Sequence, residues 1–475
     1  MPRKTCLIVL LVLLSRFDSG CGGDGPARFF TAGGGITLTV SDPATCSQPA
    51  GGPYSHIYVS ISDVQASPEA NAPPGDSSFV DLTPDLRKTP RLVNLLGTPN
   101  QCFLATLGTN LSLPAATYQQ FRVFLAPDTS SGPSASPCGN FANCVTLASD
   151  PLNTPLRLQV GAEATQGIPV PAARIGGGGF SVDPARQQTL NLNFDACASL
   201  VALSGNSFRF RPVLLAGDAT VPSSISGQFF DSASLQPTAN SRIVVALEQP
   251  DSRGVDRVLM ESVADADGKF SLCPVPQGNY DVVADGLRSD SGAAYAATAT
   301  LSVPAGSALG QIPLTLVAGA PNTSASVLGT TSTSSYVNNL PQPTSADVTV
   351  SALQLVTPSG AGAINLTVPL LGASAATLTL ATQSAPTCQV NTDCASFAAT
   401  ITPASPSAGV FNAAGTQYSQ SPGLVNYSVE GTAFVPLSAG TPDCDPSFQF
   451  FSVSNVTSAA ALDFTTLPLS FNGCQ

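Results

Sequence analysis

The sequence contains a single histidine, His56, and any Ser-His-Asp or Cys-His catalytic site would have to use it. His56 opens an alternating segment, HIYVSISDV, of the kind that forms a strand. No Gly-x-Ser-x-Gly motif is present to supply a serine nucleophile on a sharp turn. A histidine at the end of a strand is more often structural or solvated than catalytic, so we predict no nucleophilic site at His56.

Two pairs of cysteines share a C-x5-C spacing that could belong to a metal site. One pair is Cys138 and Cys144, and the other is Cys388 and Cys394. Zinc sites need four nitrogen or sulfur ligands, usually at a shorter spacing, and no histidine lies near either pair in the sequence. We therefore expect two local disulfide bonds, and neither a metal nor a cofactor.

Two further motifs look like parts of ligand sites but are better explained as turns. Asp265-Ala-Asp-Gly268 begins like a calcium loop, yet Pro276 stands where the bidentate glutamate should be. The segment Ile175–Phe180, IGGGGF, lacks the Lys-Ser/Thr that follows in a phosphate loop. The first motif predicts a hairpin turn, and the second predicts a hairpin or a bulge.

Acid pairs and sugar-stacking aromatic residues leave only weak signals. A glycoside hydrolase needs two carboxyl groups about 5 to 10 Å apart, and nothing in the sequence marks such a pair. Sugar-binding platforms favour the faces of Trp and Tyr, but the chain has no Trp and eight Tyr. The candidates that remain for such a platform are Tyr54, Tyr58, Tyr118, Tyr280, Tyr295 and Tyr336.

Short segments in which apolar and polar residues alternate make up most of the chain. Examples are Ile36–Val40, Phe121–Leu125, Leu190–Phe194 and Ile364–Val368. This period of two predicts strands with one buried face, and Gly, Pro, Asn and Asp separate them at spacings typical of sandwiches. We predict an all-β fold of serial β-sandwich domains, with no substantial helix after the N-terminal segment.

Composition shifts divide the chain into units. We predict a signal peptide at 1–20, a tether at 21–32, a first unit at 33–216 and a second unit at 222–318. The segment 319–343 is rich in small residues and is predicted to be a linker, because it offers little apolar surface to offset its conformational entropy. A third unit, also a β-sandwich, is predicted at 344–475.

The N-terminal segment has the layout of an export signal. Arg3 and Lys4 precede the apolar run CLIVLLVLL, which is much shorter than the roughly 20 residues of a membrane-spanning helix. Ser19-Gly20-Cys21 is similar to the end of a bacterial lipobox, where the cysteine receives lipid and becomes the N-terminus. We predict lipidation of Cys21. The alternative is an ordinary signal peptide followed by a cysteine that joins a disulfide bond.

The cysteine count fits this interpretation. Twelve cysteines less Cys6 in the signal and a lipidated Cys21 leave ten, and an even number in an exported chain indicates disulfide bonds. Besides the two local pairs we expect Cys444–Cys474. Cys46, Cys102, Cys197 and Cys273 allow three pairings, of which we favour Cys46–Cys102.

The charge balance bears on the class of partner. The formal net charge is −12, and removal of the signal peptide makes it −14 because that segment carries three basic residues and one acidic residue. No basic cluster is present, so nucleic acid is not an expected partner.

The first unit resembles a bacterial lipoprotein domain family of unknown function. The stretches that carry the resemblance are Gly35–Pro43, Leu113–Val123, Leu190–Val201 and Phe210–Leu214. This resemblance implies a β-sandwich and a location in the cell envelope, and it implies no activity.

The second unit resembles the carboxypeptidase-regulatory-like module, a transthyretin-type sandwich of the carbohydrate-binding-like folds. The resemblance is carried by Asp265–Val282, DADGKFSLCPVPQGNYDV, and by the opening strand Ile225–Phe230. Such modules support or connect other domains, and some sandwiches of similar shape bind polysaccharide.

Together these features predict a non-catalytic lipoprotein of the bacterial cell envelope. We expect it in the outer membrane, facing the periplasm or the cell surface, with a lipid anchor in the membrane and a protein or a glycan as ligand. One alternative is a carbohydrate-binding protein that acts through the second unit. A third hypothesis is a hydrolase with an unrecognised acid pair.

The anchor can be tested directly. We predict that Cys21→Ala moves the exported protein from the membrane fraction to the soluble fraction, because the variant cannot be acylated. Fractionation with carbonate washing and immunoblotting measures this, with the unaltered chain as control. Retention of the variant on washed membranes would contradict the prediction.

Overall fold

The structure, a computed structural model, describes most of the chain. It covers residues 33–42, 53–96, 102–128, 136–203, 207–221, 223–318, 322–338, 340–358, 362–373, 375–420, 423–435 and 444–474. The predicted signal peptide, Cys21, the tether at 21–32 and Cys46 lie outside these residues.

The described residues are almost entirely β, as the alternating pattern predicts. The α-helix found among them is α1 (Ala162–Thr165), and three short 3-10 segments span Pro84–Arg87, Ala172–Arg174 and Gly176–Gly178. In the part of the chain that is described, no helix has both the length and the apolar character that crossing a membrane requires.

The first unit is a sandwich of a four-stranded and a nine-stranded sheet. The smaller sheet has the order β15-β12-β1-β5, and a separate two-stranded sheet pairs β11 with β6. Ile36, Leu38 and Val40 alternate inward from β1 and meet Ile57 and Val59 of β2 in one core. The strands are β1 (Gly33–Ser41), β2 (Tyr54–Ser67), β3 (Val80–Asp81), β4 (Arg91–Asn94), β5 (Ala105–Pro114), β6 (Thr117–Tyr118), β7 (Gln120–Leu125), β8 (Cys144–Leu147), β9 (Leu156–Gln159), β10 (Ile168–Pro171), β11 (Phe180–Ser181), β12 (Gln188–Phe194), β13 (Leu200–Leu203), β14 (Ser207–Phe210) and β15 (Leu214–Asp218).

The second unit packs two sheets over another core. One sheet has the order β19-β16-β23-β21, and its Phe229 and Ile312 pack against Val245 and Leu247 of the other sheet. The strands are β16 (Ile225–Asp231), β17 (Ser241–Pro250), β18 (Asp256–Val263), β19 (Lys269–Leu272), β20 (Asn279–Arg288), β21 (Tyr295–Ala296), β22 (Thr298–Pro304) and β23 (Ala308–Leu316).

The third unit is also a two-sheet sandwich. Val327 and Phe397 of one sheet pack against Val348, Val350 and Val429 of the other. The strands are β24 (Ala325–Val337), β25 (Leu340–Pro343), β26 (Asp347–Val356), β27 (Ile364–Val368), β28 (Leu378–Ala381), β29 (Asp393–Ile401), β30 (Ser407–Val410), β31 (Ser419–Gln420), β32 (Tyr427–Phe434), β33 (Phe448–Val453) and β34 (Ala461–Phe471).

The predicted linker at 319–343 is wrong for its described residues. β24 runs through it, pairs with β29 on one side and with β34 on the other, and buries Ala325 and Val327 in the core of the third unit. Many residues of this central strand are Thr and Ser, which have small side chains. A lack of bulky apolar residues therefore does not indicate a linker. The third sandwich therefore begins before residue 344.

The three units pack against one another, and the large sheet of the second unit is buried on both faces. The six-stranded sheet β18-β17-β20-β22-β30-β31 takes its last two strands from the third unit, since β22 pairs in parallel with β30. One face of this sheet packs on the second unit's own core, and the other packs against Val356, Leu366 and Ala376 of the third unit.

A disulfide bond joins the first unit to the second. Cys102 is bonded to Cys273, so the favoured Cys46–Cys102 pair is wrong. The expected bonds Cys138–Cys144, Cys388–Cys394 and Cys444–Cys474 are present, and Cys197 is also disulfide-bonded.

The position of β24 generates a prediction. We expect a broad-specificity protease to leave Val327–Ser334 uncut in the folded protein, because a strand paired on both edges cannot enter a protease active site. Limited digestion followed by peptide mapping measures this, and digestion after denaturation is the control that shows the bonds are cleavable. Early cleavage within this strand would contradict the assignment.

Candidate functional site

A cleft of about 280 Å³ opens where all three units meet. The first unit contributes Arg174, Asp195, Ala198, Arg211 and Val213, and the second contributes Asp251, Arg253, Arg257, Val258 and Glu261. The third unit contributes the hydroxyl side chains of Thr349, Ser351, Thr367, Thr377, Thr432 and Ser447, and the rings of Phe434 and Phe448. Four arginines and three acids thus share one polar cleft.

Close backbone contact between the first two units positions one side of the site. Pro276 of the second unit lies so near Gly176 and Gly217 that an added Cβ would be 2.2 Å and 2.6 Å from it. The glycine-rich run around Gly176 contains a short 3-10 turn, where a hairpin or a bulge was expected. Its glycines permit the packing of the second unit beside Arg174.

Two arginines of the β17–β18 hairpin tie the second unit to the third at the cleft wall. Arg253 donates to both oxygens of Glu430, at 3.0 and 3.2 Å, and the Arg257 guanidinium lies 2.6 Å from Oε1 of the same carboxylate. Arg257 also donates to Asp251 at 3.0 Å. Glu430 is buried, so these arginines supply the charge that a buried carboxylate requires.

Two phenylalanine rings hold arginines at the third unit's side. The Arg253 guanidinium lies 3.7 Å from the ring centre of Phe448, and Arg211 lies the same distance from the ring of Phe434. Arg211 also donates to Thr349 Oγ1 at 2.8 Å. Cation–π contacts of this kind fix the guanidinium planes along the cleft.

The acids Asp195 and Glu261 meet at the point where the units join. Asp195 accepts a hydrogen bond from the Ala198 amide at 3.1 Å, and Glu261 accepts one from the Ala376 amide of the third unit at 2.6 Å. Both side chains are at most 2% exposed. Asp195 Oδ2 and Glu261 Oε1, the oxygens that accept no backbone amide, have no hydrogen-bond partner among the described residues.

Burial controls the ionisation of this pair. Burial raises the pKa of Asp195 to about 6. Burial, followed by the charge of Asp195, raises the pKa of Glu261 well above its ordinary value. Burial and Asp195 likewise raise the pKa of nearby Asp42. The pair therefore holds at least one proton under mildly acidic conditions.

A second set of buried acids lies behind the cleft on the same sheet face. Glu248 accepts a hydrogen bond from the Thr367 amide at 3.1 Å, while Thr367 Oγ1 donates to the Asp256 carbonyl at 2.6 Å. Burial, and then a hydrogen bond with Asp281, raises the pKa of Asp256 to about 8. The Glu248 carboxylate and the Asp256 carbonyl thus both join the second unit to Thr367 of the third.

Arg174 is the cleft arginine with the fewest contacts. Nη1 donates to the Val258 carbonyl at 3.4 Å, and among the described residues Arg174 takes part in no ion pair. Burial lowers the pKa of its guanidinium, and the charge of Asp195 opposes that effect.

The residues singled out from the sequence lie elsewhere. His56 contacts Thr146 Oγ1 at 3.1 Å and stacks on Tyr58, outside the cleft. In the Asp265–Gly268 motif, Asp265 accepts hydrogen bonds from the amides of Asp267 and Lys269, and Gly268 has φ +75°, as a turn requires.

None of the six tyrosines considered for sugar stacking lines the cleft. Tyr118, Tyr280 and Tyr295 are at most 3% exposed, and Tyr336 lies on β24 outside the cleft. Within the described residues, no group of three His, Cys, Asp or Glu side chains is arranged to hold a metal ion.

The first unit coincides with a known domain family. Residues 33–212 match the family model described as Domain of unknown function (DUF4382). The match covers the first sandwich, including Arg174, Asp195 and Arg211 of the cleft. It agrees with the resemblance carried by the sequence and assigns no activity. The carboxypeptidase-regulatory-like assignment of the second unit stays a prediction.

Comparison with solved structures finds only remote likeness. The Bacillus anthracis TIE protein is 8% identical over 93% of this chain and 51% of its own, with a TM-score of 0.15, so this chain spans about half its length. A DUF3823 family protein from Bacteroides uniformis is 10% identical over 50% of this chain and 99% of its own, with a TM-score of 0.16. The shaft pilin SpaA from Lactobacillus rhamnosus GG is 11% identical over 61% and 100%, with a TM-score of 0.18. Scores this low carry no argument about fold or function. No curated protein matches the chain.

The cleft was missed because its residues come from three units. A signal for part of it exists in the sequence: acids stand inside apolar strand segments, as in Leu259-Met-Glu-Ser-Val263 and Val282-Val-Ala-Asp285. A charged residue in a buried strand needs a partner or a proton, which marks it as unusual. Which unit supplies the partner cannot be read from one strand.

The acid pair generates a pH prediction. Because folding raises the pKa of Asp195 to about 6, the folded protein holds a proton that the unfolded chain releases above about pH 4. The free energy of unfolding should therefore fall as the pH rises from about 4 to about 6. The slope is at most about 1.4 kcal/mol per pH unit for each proton.

Asp195→Asn should make that slope shallower, because an amide does not titrate. Urea denaturation at a series of pH values measures it. Asp267→Asn removes the same charge from a side chain that is 72% exposed and serves as the control. Equal slopes for Asp195→Asn and the unaltered chain would contradict the role given to the pair.

Proposed function

We propose that this chain is a non-catalytic binding protein of the bacterial cell envelope, held to the membrane by lipid on Cys21. Its three β-sandwich units act as one body that presents the shared cleft. The observation that carries the proposal is the junction at Glu261, where side chains and backbone groups of all three units meet.

Rigid coupling of the units suits a binding role. The Cys102–Cys273 bond joins the first and second units, and the shared sheet of β22 and β30 joins the second and third. A cleft assembled in advance loses less conformational freedom when a ligand enters, which favours affinity. The polar and charged lining of the cleft gives it the groups that orient a small polar ligand.

The geometry of the acid pair argues against glycoside hydrolysis. That reaction needs two carboxyl groups about 5 Å apart or more, with room for the sugar or a water between them. Asp195 and Glu261 lie close enough to interact directly, and each accepts a backbone amide hydrogen bond. These bonds support a structural role that fixes the units in place.

The alternative, a carbohydrate-binding protein acting through the second unit, has one observation in its favour. The second unit supplies Asp251, Arg253 and Arg257, which are the charged side chains of one cleft wall. Because the six-stranded sheet of that unit is covered on both faces, a glycan would bind at the cleft rather than on the sheet.

The proposal can be tested with the soluble Cys21→Ala chain on a glycan array and in parallel hydrolysis assays. We expect retention of a ligand without release of product, because Asp195 and Glu261 are each fixed by a backbone amide hydrogen bond and lie too close together for glycoside hydrolysis. Arg186→Gln, a change at an exposed arginine, is the control for nonspecific charge effects.

Turnover of any glycan that Glu261→Gln abolishes would overturn the non-catalytic assignment. The thermal unfolding of Glu261→Gln should be measured alongside, so that loss of activity through unfolding is recognised.

A further inference from the structure

We propose that the cleft binds a hydroxycarboxylate group, with Arg174 holding the carboxylate and the Asp195–Glu261 pair contacting a neighbouring hydroxyl. This inference rests on the proposed binding function and names the class of ligand. It is drawn from Arg174, Asp195 and Glu261, the side chains of the cleft that make the fewest hydrogen bonds to the rest of the protein for the polar atoms they carry.

The guanidinium group of Arg174 is suited to bind an anion. Its guanidinium has five donors in a planar fork that fits a carboxylate through two hydrogen bonds. Within the described residues it makes one hydrogen bond of 3.4 Å, to the carbonyl of Val258, and joins no ion pair. It lines the cleft directly, so a ligand can reach the donors that remain.

The carboxyl oxygens of Asp195 and Glu261 are suited to bind a hydroxyl group. Asp195 Oδ1 and Glu261 Oε2 accept backbone amides, but Asp195 Oδ2 and Glu261 Oε1 receive a donor from no other described group. Each of these two oxygens therefore has its lone pairs available for a hydrogen bond. A hydroxyl can donate to such an oxygen or accept from a protonated carboxyl, so it matches the pair in either state.

Arg174 and the Asp195–Glu261 pair lie next to each other in the cleft. Arg174 and Asp195 both line the cleft and interact electrostatically, and Glu261 adjoins Asp195. A ligand that carries a carboxylate next to a hydroxyl satisfies both at once, whereas a neutral sugar offers no carboxylate for the guanidinium fork of Arg174. A dianionic phosphate would place a second charge against the acid pair, which disfavours it.

The other arginines define the size and shape of the site. Arg253 and Arg257 are held by Glu430 and Asp251, so they form a fixed wall. A volume of about 280 Å³ lies near the lower end of small-molecule pockets, which span roughly 300 to 1,000 Å³. The site therefore fits one sugar-acid unit rather than a long oligomer.

Two kinds of ligand carry a carboxylate next to a hydroxyl: a uronic acid of a glycan and a free open-chain hydroxy acid. Titration calorimetry on the soluble Cys21→Ala chain should use D-glucuronate as the ring probe, D-gluconate as the open-chain probe and D-glucose as the neutral control. We expect glucuronate or gluconate to bind at least tenfold more tightly than glucose. Preference for glucuronate identifies a glycan source, and preference for gluconate identifies a free acid.

Variants assign the binding to this site. Arg174→Gln should weaken binding of the acid at least tenfold, which corresponds to 1.4 kcal/mol, while Arg186→Gln should leave it unchanged. Thermal unfolding of Arg174→Gln should match the unaltered chain, because Arg174 makes only one long hydrogen bond.

Two outcomes would overturn the inference. One is equal binding of glucuronate, gluconate and glucose, or binding of none of them. The other is binding of the acid that Arg174→Gln does not weaken. If neutral glycans are retained on the array and either outcome is also seen, the proposed binding function still holds. Only the assignment of a hydroxycarboxylate ligand is then wrong.

Discussion

Glu261 contacts all three units through one carboxyl group. Its Oε2 accepts the amide of Ala376 in the third unit, its carboxyl group interacts with that of Asp195 in the first unit, and its backbone belongs to a strand of the second. A buried carboxyl group must be protonated, paired or hydrogen-bonded, because removing an ionised one from water costs several kcal/mol. The position of each unit is therefore constrained by the same group.

Burial of the second unit's large sheet on both faces extends this constraint. Val244 and Ala246 of β17 pack against Ala376, while Val245 and Leu247 on the other face pack into the unit's own core. Glu248 continues the outward face and binds the Thr367 amide. The sheet thus serves as the middle layer of a larger body, and the cleft is a consequence of how that body is assembled.

The sequence predicts the strands well and their assembly poorly. Period-two patterns such as Ile36–Val40 in β1 report which face is buried, and this is a local property. Ile243–Leu247 of β17 is instead an unbroken apolar run, which is typical of a strand covered on both faces. The Thr- and Ser-rich β24 is a central strand that the sequence predicts to be a linker, because its side chains are small and few of them are apolar.

The cleft could not be predicted for a related reason. Local disulfides such as Cys138–Cys144 follow from spacing, but Cys102 and Cys273 are 171 residues apart and belong to different units. Arg174, Asp195 and Glu261 are likewise separate in sequence, and the residues around each do not show which of the others it meets. The packing of Pro276 against Gly176 and Gly217, together with the Cys102–Cys273 bond, joins the two units that carry them.

Amide hydrogen exchange at Ala376 tests the central role of Glu261 most directly. In the unaltered chain this amide should exchange slowly, because its donor is bound to a buried carboxyl oxygen. Glu261→Gln should retain much of the protection, since the amide carbonyl can still accept, whereas Glu261→Ala should lose it. An Ala376 amide that exchanges like a free surface amide in the unaltered chain, or that is unaffected by Glu261→Ala, would contradict a three-unit body held together at this carboxyl group.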